Sequence, residues 1–174
     1  MSEEDTTPPP PGYRPCVGIL LLNREGLIFT GERHEVPGAW QMPQGGIDPD
    51  ERPADAAKRE LREETGIDAV EVLGETPGWL TYDFPSTLSR KLWKGRYRGQ
   101  AQKWYAMRFL GRDAEIDLSG APHDGVDVEF SRWRWSTPGE LIEAIIDFKR
   151  PVYRQVLEAF RPLLGTPADL SLRR

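Results

Sequence analysis

The sequence has few residues that could take part in redox chemistry. It also has few candidate metal ligands other than carboxylates. Cys16 is the one cysteine in 174 residues, so no internal disulfide can form, and this favours a reducing cytoplasm. Histidine occurs only at His34 and His123, neither of them near another candidate ligand, which argues against a zinc site or a histidine base. No apolar run approaches the roughly 20 residues of a membrane span, and the start of the chain has none of the features of a signal peptide. We therefore expect a cytoplasmic protein that does not contact a membrane.

The overall composition is that of a globular protein with one domain. Charged residues make up 29% of the chain and hydrophobic residues 38%. The acidic, proline-rich start predicts a disordered leader over residues 1–12, followed by one domain over 13–164 and a tail over 165–174. A net charge of −5 argues against general coating of nucleic acid.

One segment, RKLWKGRYRGQAQKW at residues 90–104, is nevertheless basic and rich in aromatic side chains. Such a patch on an acidic protein suggests a local site for a polyanion. A solvated loop followed by a strand edge explains the same residues equally well. The segment alone does not decide between these two interpretations.

The order of the predicted elements indicates an α/β layered domain. A proline at a first helical turn, Pro53, and a glycine suited to a helix end, Gly66, enclose a helix of about 12 residues. Thr137 and Glu140 have capping-box spacing, and Pro151 opens a last helix. Strands are predicted at residues 16–23, 27–33, 69–73, 101–110 and 128–135.

Three glutamates, Glu60, Glu63 and Glu64, crowd one face of the first predicted helix, because positions i, i+3 and i+4 project together. Ala57 and Leu61 form an adjacent apolar stripe that can pack on a sheet. Like charges at this spacing repel by a few tenths of a kcal/mol, about 0.2–0.5 per pair, which an ordinary solvated helix tolerates. Hard divalent cations such as Mg²⁺ prefer carboxylate oxygens, so a metal site explains the crowding as well. The helix alone leaves both explanations open.

The spacing of the surrounding residues is much more specific. Gly45, Glu51, Arg59-Glu60-Leu61, Glu63-Glu64 and Gly66-Ile67 match every fixed position of the Nudix box over 23 residues. The chain therefore resembles the Nudix hydrolase superfamily. That resemblance implies an α/β/α sandwich with a mixed β-sheet. It also implies hydrolysis of a pyrophosphate linkage with two or three Mg²⁺ ions, or Mn²⁺, as cofactors.

The resemblance also implies a role for each residue of the box. The metal-binding positions correspond to Glu60, Glu63 and Glu64, with a distal ligand at Glu129. Arg59 and Glu51 would pair to orient the catalytic helix, and Gly45 would permit a sharp path of the loop. By itself, Glu129 would be an exposed strand residue.

Segments outside the box resemble one branch of the superfamily, which contains bacterial RNA 5′-pyrophosphohydrolases and dinucleoside polyphosphate hydrolases. These segments include GYRPCVGI, AWQMPQGG, GQAQKW and FKRPVY. They imply a set of substrate-binding residues, each of which could equally be an ordinary surface or core residue: Arg14, Arg33, Tyr82, Gln100, Gln102, Lys103, Phe148 and Lys149. We assign Trp40, Trp133 and Trp135 to packing.

Three functions follow from the resemblance. The first is removal of pyrophosphate from 5′-triphosphorylated RNA by attack of water. The alternative is asymmetric hydrolysis of diadenosine tetraphosphate to ATP and AMP, which would use the same metals and glutamates. A non-catalytic nucleotide-binding module is the remote third, and the complete set Glu60, Glu63 and Glu64 argues against it.

Overall fold

The computed structural model describes residues 5–89, 92–119 and 128–164. Within them, the strands are β1 (Tyr13–Leu22), β2 (Ile28–Arg33), β3 (Trp40–Gln41), β4 (Gln44–Gly46), β5 (Val70–Glu75), β6 (Leu80–Asp83), β7 (Gly99–Phe109) and β8 (Phe130–Ser136). The α-helices are α1 (Pro53–Thr65), the single turn α2 (Ser86–Ser89), α3 (Pro138–Ala144) and α4 (Arg150–Ala159). None of the described helices is both long enough and apolar enough to cross a membrane.

The strands form one mixed sheet in the order β3-β2-β1-β7-β5. β1 and β7 run parallel from the pair Tyr13 and Gly99 to the pair Leu22 and Arg108, whereas the other pairs are antiparallel. β4 pairs with β1, β6 with β7, and β8 with β2. The predicted mixed α/β sheet is therefore confirmed.

Helices cover both faces of this sheet. The side chains of β1 alternate between the two cores that these helices form with the sheet. Val17, Ile19 and Leu21 pack with the apolar stripe of α1, while Leu20 and Leu22 pack with α3 and α4. All five are fully buried, which contributes about 1.5–3 kcal/mol for each such side chain. The result is the expected α/β/α sandwich.

The helix ends follow the chemistry of their terminal residues. Gly66 ends α1 with a left-handed φ of 71°, and its N–H donates to the Arg62 carbonyl at 2.9 Å. At the start of α3, the Thr137 hydroxyl accepts from the Glu140 N–H at 3.2 Å, and the Glu140 carboxylate accepts from the Thr137 N–H at 2.9 Å. The predicted capping box is thus present.

The described part of the leader lies against the domain. The Asp5 carboxylate accepts from the Gly78 N–H at 3.1 Å, and the Trp79 indole N–H donates to the Thr7 carbonyl at 2.8 Å. Residues 165–174 and the basic pair Arg90 and Lys91 lie outside the described residues. The division into leader, domain and tail stays a prediction.

Candidate active site

The glutamates of α1 lie where the helix meets β4, and they differ in burial. The side chain of Glu63 is 22% exposed and that of Glu60 14% exposed, whereas Glu64 is buried. Burial raises the pKa of Glu60 to about 7, although the neighbouring Arg59 guanidinium acts in the opposite direction. Burial also raises the pKa of Glu64 well above its usual range, and the charges of Glu129 and Glu60 raise it further. The structure therefore brings all four predicted carboxylates into one electrostatically coupled group.

Arg59 organises the edge of this group. Its Nε and Nη2 donate to the two carboxylate oxygens of Glu51 at 2.8 and 2.9 Å, and Nη2 also donates to the Gly46 carbonyl at 2.8 Å. Its Nη1 donates to Glu60 at 2.9 Å and to Glu63 at 3.2 Å. A planar guanidinium suits this arrangement because its five N–H groups diverge in fixed directions. The expected pair of Arg59 and Glu51 is present, while its catalytic role stays a prediction.

Gly45 leaves space for a catalytic-helix side chain, a role that the sequence did not reveal. It lies in strand β4 and is not among the residues with positive φ, so the expected sharp loop path is wrong. A Cβ at this position would instead collide with the Glu60 carboxyl group. The missing side chain therefore leaves room for the Glu60 carboxyl group beside β4.

The donor chemistry of the site fits a hard divalent cation. Carboxylate oxygens are the preferred protein ligands of Mg²⁺. Burial and the neighbouring carboxylates raise the pKa values of Glu60 and Glu64, and a bound cation would favour their ionised forms. In the described part of the chain, however, no three acidic, histidine or cysteine side chains are arranged as a metal cage. Arg59 holds two of the glutamates, Glu60 and Glu63, through Nη1. The ligand types of this cluster therefore fit a hard divalent cation.

Gln44, which is not among the residues predicted from the sequence, connects the carboxylates to the sheet. Its N–H donates to Glu64 Oε2 at 3.3 Å, and its side-chain oxygen accepts from Gln102 at 3.4 Å. Gln102 donates in turn to Gln100 at 2.9 Å and accepts from the Trp104 indole at 2.9 Å. The position of Gln44 directly before the glycine of the box was the available signal. These bonds join α1 to two predicted substrate-binding glutamines.

Further predicted substrate residues lie on the same face of the sheet, next to α4. Lys149, 6% exposed, donates to Gln41 at 3.1 Å, and Gln41 is a second residue that the sequence analysis missed. The partly buried Phe148 packs against Tyr82 with ring centroids 5.8 Å apart. Tyr82 is itself buried in the core, so in this structure its ring is covered by protein rather than open to a base. Burial lowers the pKa of Lys149, and the nearby charge of Arg33 lowers it further.

Two other predicted residues take different positions. Arg14 fills the space that a Cβ on Gly46 would need, with its Nη1 3.7 Å from the Cys16 sulfur. Lys103 points to the opposite face of the sheet from Gln100 and Gln102, because successive side chains of a strand alternate. The structure therefore does not bring Lys103 to the glutamine group.

The basic segment 90–104 continues into β7, and its residues from Arg98 to Trp104 take different positions. Trp104 is fully buried and Lys103 is buried beside the leader. Arg98 forms an ion pair with Asp83 at 2.8 Å, and its guanidinium lies 5.1 Å from the centre of the Tyr13 ring. Strand packing thus accounts for Trp104, and local pairing accounts for Arg98.

Lys149 provides a test by pH. Its burial lowers the pKa to about 8 from an ordinary value of 10.5, so between these values the unfolded chain binds the proton that the folded protein has lost. The free energy of unfolding should therefore rise from pH 8 to pH 10 through this group. Denaturant midpoints at the two pH values should show a larger rise for wild type than for Lys149→Met. An equal rise of the denaturant midpoint in both proteins would contradict the conclusion that burial lowers the pKa of Lys149.

The fold and the site together define a class of protein: an α/β/α sandwich that presents a cluster of glutamates from a loop and helix. The chain belongs to the NUDIX domain family, whose model matches residues 12–159. The resemblance drawn from the box is thereby confirmed. Nudix hydrolases generally use divalent metal ions such as Mg²⁺.

Relatives with high identity cover most of the chain. An RNA pyrophosphohydrolase of Cereibacter sphaeroides is 55% identical over 156 residues, which are 88% of this chain and 93% of that protein. An RNA pyrophosphohydrolase of Nitrobacter winogradskyi is 52% identical over 161 residues, 90% of this chain and 94% of the other. Nudix hydrolase 25 of Arabidopsis thaliana is 48% identical over 159 residues, 90% of each chain.

Solved structures share the fold at low identity. An Ap4A hydrolase from C. elegans in a binary complex aligns with a TM-score of 0.61 and 18% identity, over 86% of this chain and 98% of that one. The E. coli dihydroneopterin triphosphate pyrophosphohydrolase also gives 0.61, with 17% identity over 82% and 95%. At such identities the likeness supports the sandwich fold alone.

Proposed function

We propose that this protein is an RNA 5′-pyrophosphohydrolase, which removes pyrophosphate from 5′-triphosphorylated RNA and leaves a 5′-monophosphate. The observation that carries the proposal is the 52–55% identity, over about 90% of the chain, to bacterial proteins named RNA pyrophosphohydrolase. The carboxylate cluster on α1 supports the chemistry, because a polyphosphate needs cationic neutralisation at the point of attack. The single, buried Cys16 thiol agrees with a cytoplasmic location, which we propose as well.

Glu60, Glu63, Glu64 and Glu129 would hold two or three Mg²⁺ ions, with Mn²⁺ as a possible substitute. Such ions neutralise phosphate charge and make a bound water a stronger nucleophile. Arg59, which is itself paired with Glu51, would hold the side chains of Glu60 and Glu63 in position by hydrogen bonds. Either of these two glutamates could accept the proton of the attacking water.

The remaining residues would bind the RNA beyond the scissile bond. Lys149 and Arg33 contribute positive charge beside Phe148, whose ring offers a plane for an unstacked base. The base would have to enter beside Tyr82, which now packs on Phe148. Gln100 and Gln102 could accept or donate hydrogen bonds along the polyphosphate. Arg14 would meet the phosphates near Glu60.

A competition assay tests the proposal against the alternative substrate. We expect purified enzyme with Mg²⁺ to hydrolyse 5′-triphosphorylated RNA with a higher kcat/KM than diadenosine tetraphosphate. The physical reason is that RNA adds base and phosphodiester contacts that hold the reacting end in place. A preference of about 100-fold or more for the dinucleotide would overturn the RNA assignment, because discrimination of that size requires a site that is specific for the dinucleotide.

The matched control is the doubly substituted enzyme Glu60→Gln/Glu64→Gln. It should be inactive on both substrates in the same preparation. Metal-dependent turnover that survives both substitutions and co-purifies with the protein would contradict the catalytic assignment.

A further inference from the structure

The N-terminal residues 5–9 form a strap across one end of the sheet, on the face that carries α1. The Asp5 carboxylate accepts hydrogen bonds from the Thr7 N–H at 3.0 Å and from the Gly78 N–H at 3.1 Å. The Thr7 carbonyl accepts from the Trp79 indole at 2.8 Å. Hydrogen bonds from Thr7 and Gly78, together with the charge of Lys103, hold the pKa of Asp5 at about 2. The strap is therefore held by polar contacts through an ionised carboxylate.

Lys103 is the cation beneath this strap. Its side chain is only 2% exposed, and its Nζ lies 2.6 Å from the Asp5 carbonyl oxygen and 3.7 Å from Asp5 Oδ2. The same ammonium lies 5.2 Å from the centre of the Trp79 ring. A buried ammonium is costly unless an anion or another acceptor accompanies it. Asp5 supplies that anion from a segment outside the sheet.

A cleft of about 760 Å³ lies beside this group. The strap and Trp79 line one part of it, and Lys103 contributes the ammonium. The segment from Asp50 to Pro53 lines another part, which includes the Glu51 carboxylate that binds Arg59. The cleft therefore extends from the strap to the first turn of the helix that carries the catalytic glutamates.

We propose that Lys103 and Trp79 form a second substrate subsite for a nucleotide unit of the RNA chain, and that Asp5 occupies this subsite until RNA replaces it. The inference rests on the proposed function, because it assigns the subsite to the same RNA substrate. Lys103 would contact a phosphodiester and Trp79 would contact the adjoining base.

Two physical arguments support this assignment. A lysine beside an aromatic plane matches the two parts of a nucleotide, since phosphate binds ammonium and every base has a face that stacks. In addition, the Asp5 carboxylate already shows that the position accepts an anion. Asp5 and an incoming phosphate would use the same ammonium, so strap release and binding of the phosphate are coupled.

The first experiment follows the strap directly in the full chain by NMR. The six tryptophan indole N–H signals fall in a separate spectral region, and the spectrum of Trp79→Phe identifies the signal of Trp79. Asp5→Lys should shift this signal because the strap is repelled by Lys103. The matched control, Asp68→Lys, makes the same charge change at an exposed position and should leave the signal unchanged.

A 5′-hydroxyl RNA of about ten nucleotides, which cannot undergo the proposed reaction, should move the Trp79 signal of wild type in the same direction as Asp5→Lys. The proposal is overturned if the RNA shifts other signals while Trp79 stays in place. It is likewise overturned if this RNA does not bind although 5′-triphosphorylated RNA is hydrolysed. It is also overturned if inorganic tripolyphosphate moves the signal equally well, because the subsite would then take free polyphosphate. Since no hydrolysis is involved, these outcomes are separate from failure of the proposed function.

The second experiment measures the contribution of Lys103 to RNA affinity. Lys103→Gln should weaken binding of the same RNA by roughly 3–10-fold and reduce the slope of log affinity against log salt by about 1, as expected when one phosphate-binding cation is removed. Trp79→Ala should weaken binding by a similar factor without changing the slope. An unchanged slope in folded Lys103→Gln would contradict the phosphate contact, and unchanged affinity in Trp79→Ala would contradict the base contact.

Discussion

Glu64→Gln should lower kcat for 5′-triphosphorylated RNA by about 10³-fold, because it removes the most deeply buried carboxylate of the proposed metal site. The same substitution should not lower the melting temperature of the metal-free protein at pH 8. Burial and the charges of Glu129 and Glu60 already raise the pKa of Glu64 well above its usual range, so the carboxylate is the costly form of this side chain. Steady-state kinetics of wild type and Glu64→Gln check the fall in kcat, and thermal unfolding of both proteins checks the melting temperature.

Metal binding gives the same prediction a third measurement. Mg²⁺ should raise the melting temperature of wild type, since a ligand that binds only the folded state stabilises it. The increase should be smaller for Glu64→Gln and unchanged for Glu71→Gln, an exposed glutamate of β5. Equal stabilisation of wild type and Glu64→Gln by Mg²⁺ would show that the ion binds elsewhere.

Arg59→Met should reduce kcat by about 10–100-fold, as expected when a residue that orients ligands is removed. The guanidinium now donates to Glu51, which precedes α1, and to Glu60 and Glu63 on the same helix. Without it, three carboxylates repel one another at a site where they are less than a quarter exposed. We therefore also expect a loss of about 2 kcal/mol in the free energy of unfolding of the metal-free protein.

Arg62→Met is the matched control, since it removes an exposed arginine from the same helix. It should change neither kcat nor stability appreciably. Mg²⁺ should restore part of the stability of Arg59→Met, because the cation replaces the missing positive charge. A purely structural arginine predicts a stability loss without the fall in kcat, and that result would contradict the positioning role.

Most of the correct predictions about the site came from the Nudix box, residues 45–67. Spacing alone placed the glutamates of α1 on one face, and capping chemistry located both ends of that helix at Pro53 and Gly66. The alternation of β1 likewise determines which residues meet α1, because side chains two apart share a face.

The contacts across the sheet could not be predicted in this way. Gln44 contacts Glu64 because β4 lies beside α1 in the folded protein. Gln41 contacts Lys149 because β3 lies beside the start of α4. Lys103 shows the opposite error: a motif groups it with Gln100 and Gln102, but strand alternation directs it towards the leader. Sequence spacing within one element was therefore informative, whereas partners from distant strands required the structure.

The parallel pairing of β1 with β7 has a consequence for biosynthesis. The first strand begins at Tyr13, and its partner ends only at Phe109, so more than half of the chain must be synthesised before the central pair can form. Until then, the apolar residues of β1 leave the ribosome without this partner strand, and such surface is prone to aggregation. We expect nascent chains stalled before residue 99 to depend on chaperones and chains stalled well beyond residue 109 to resist protease.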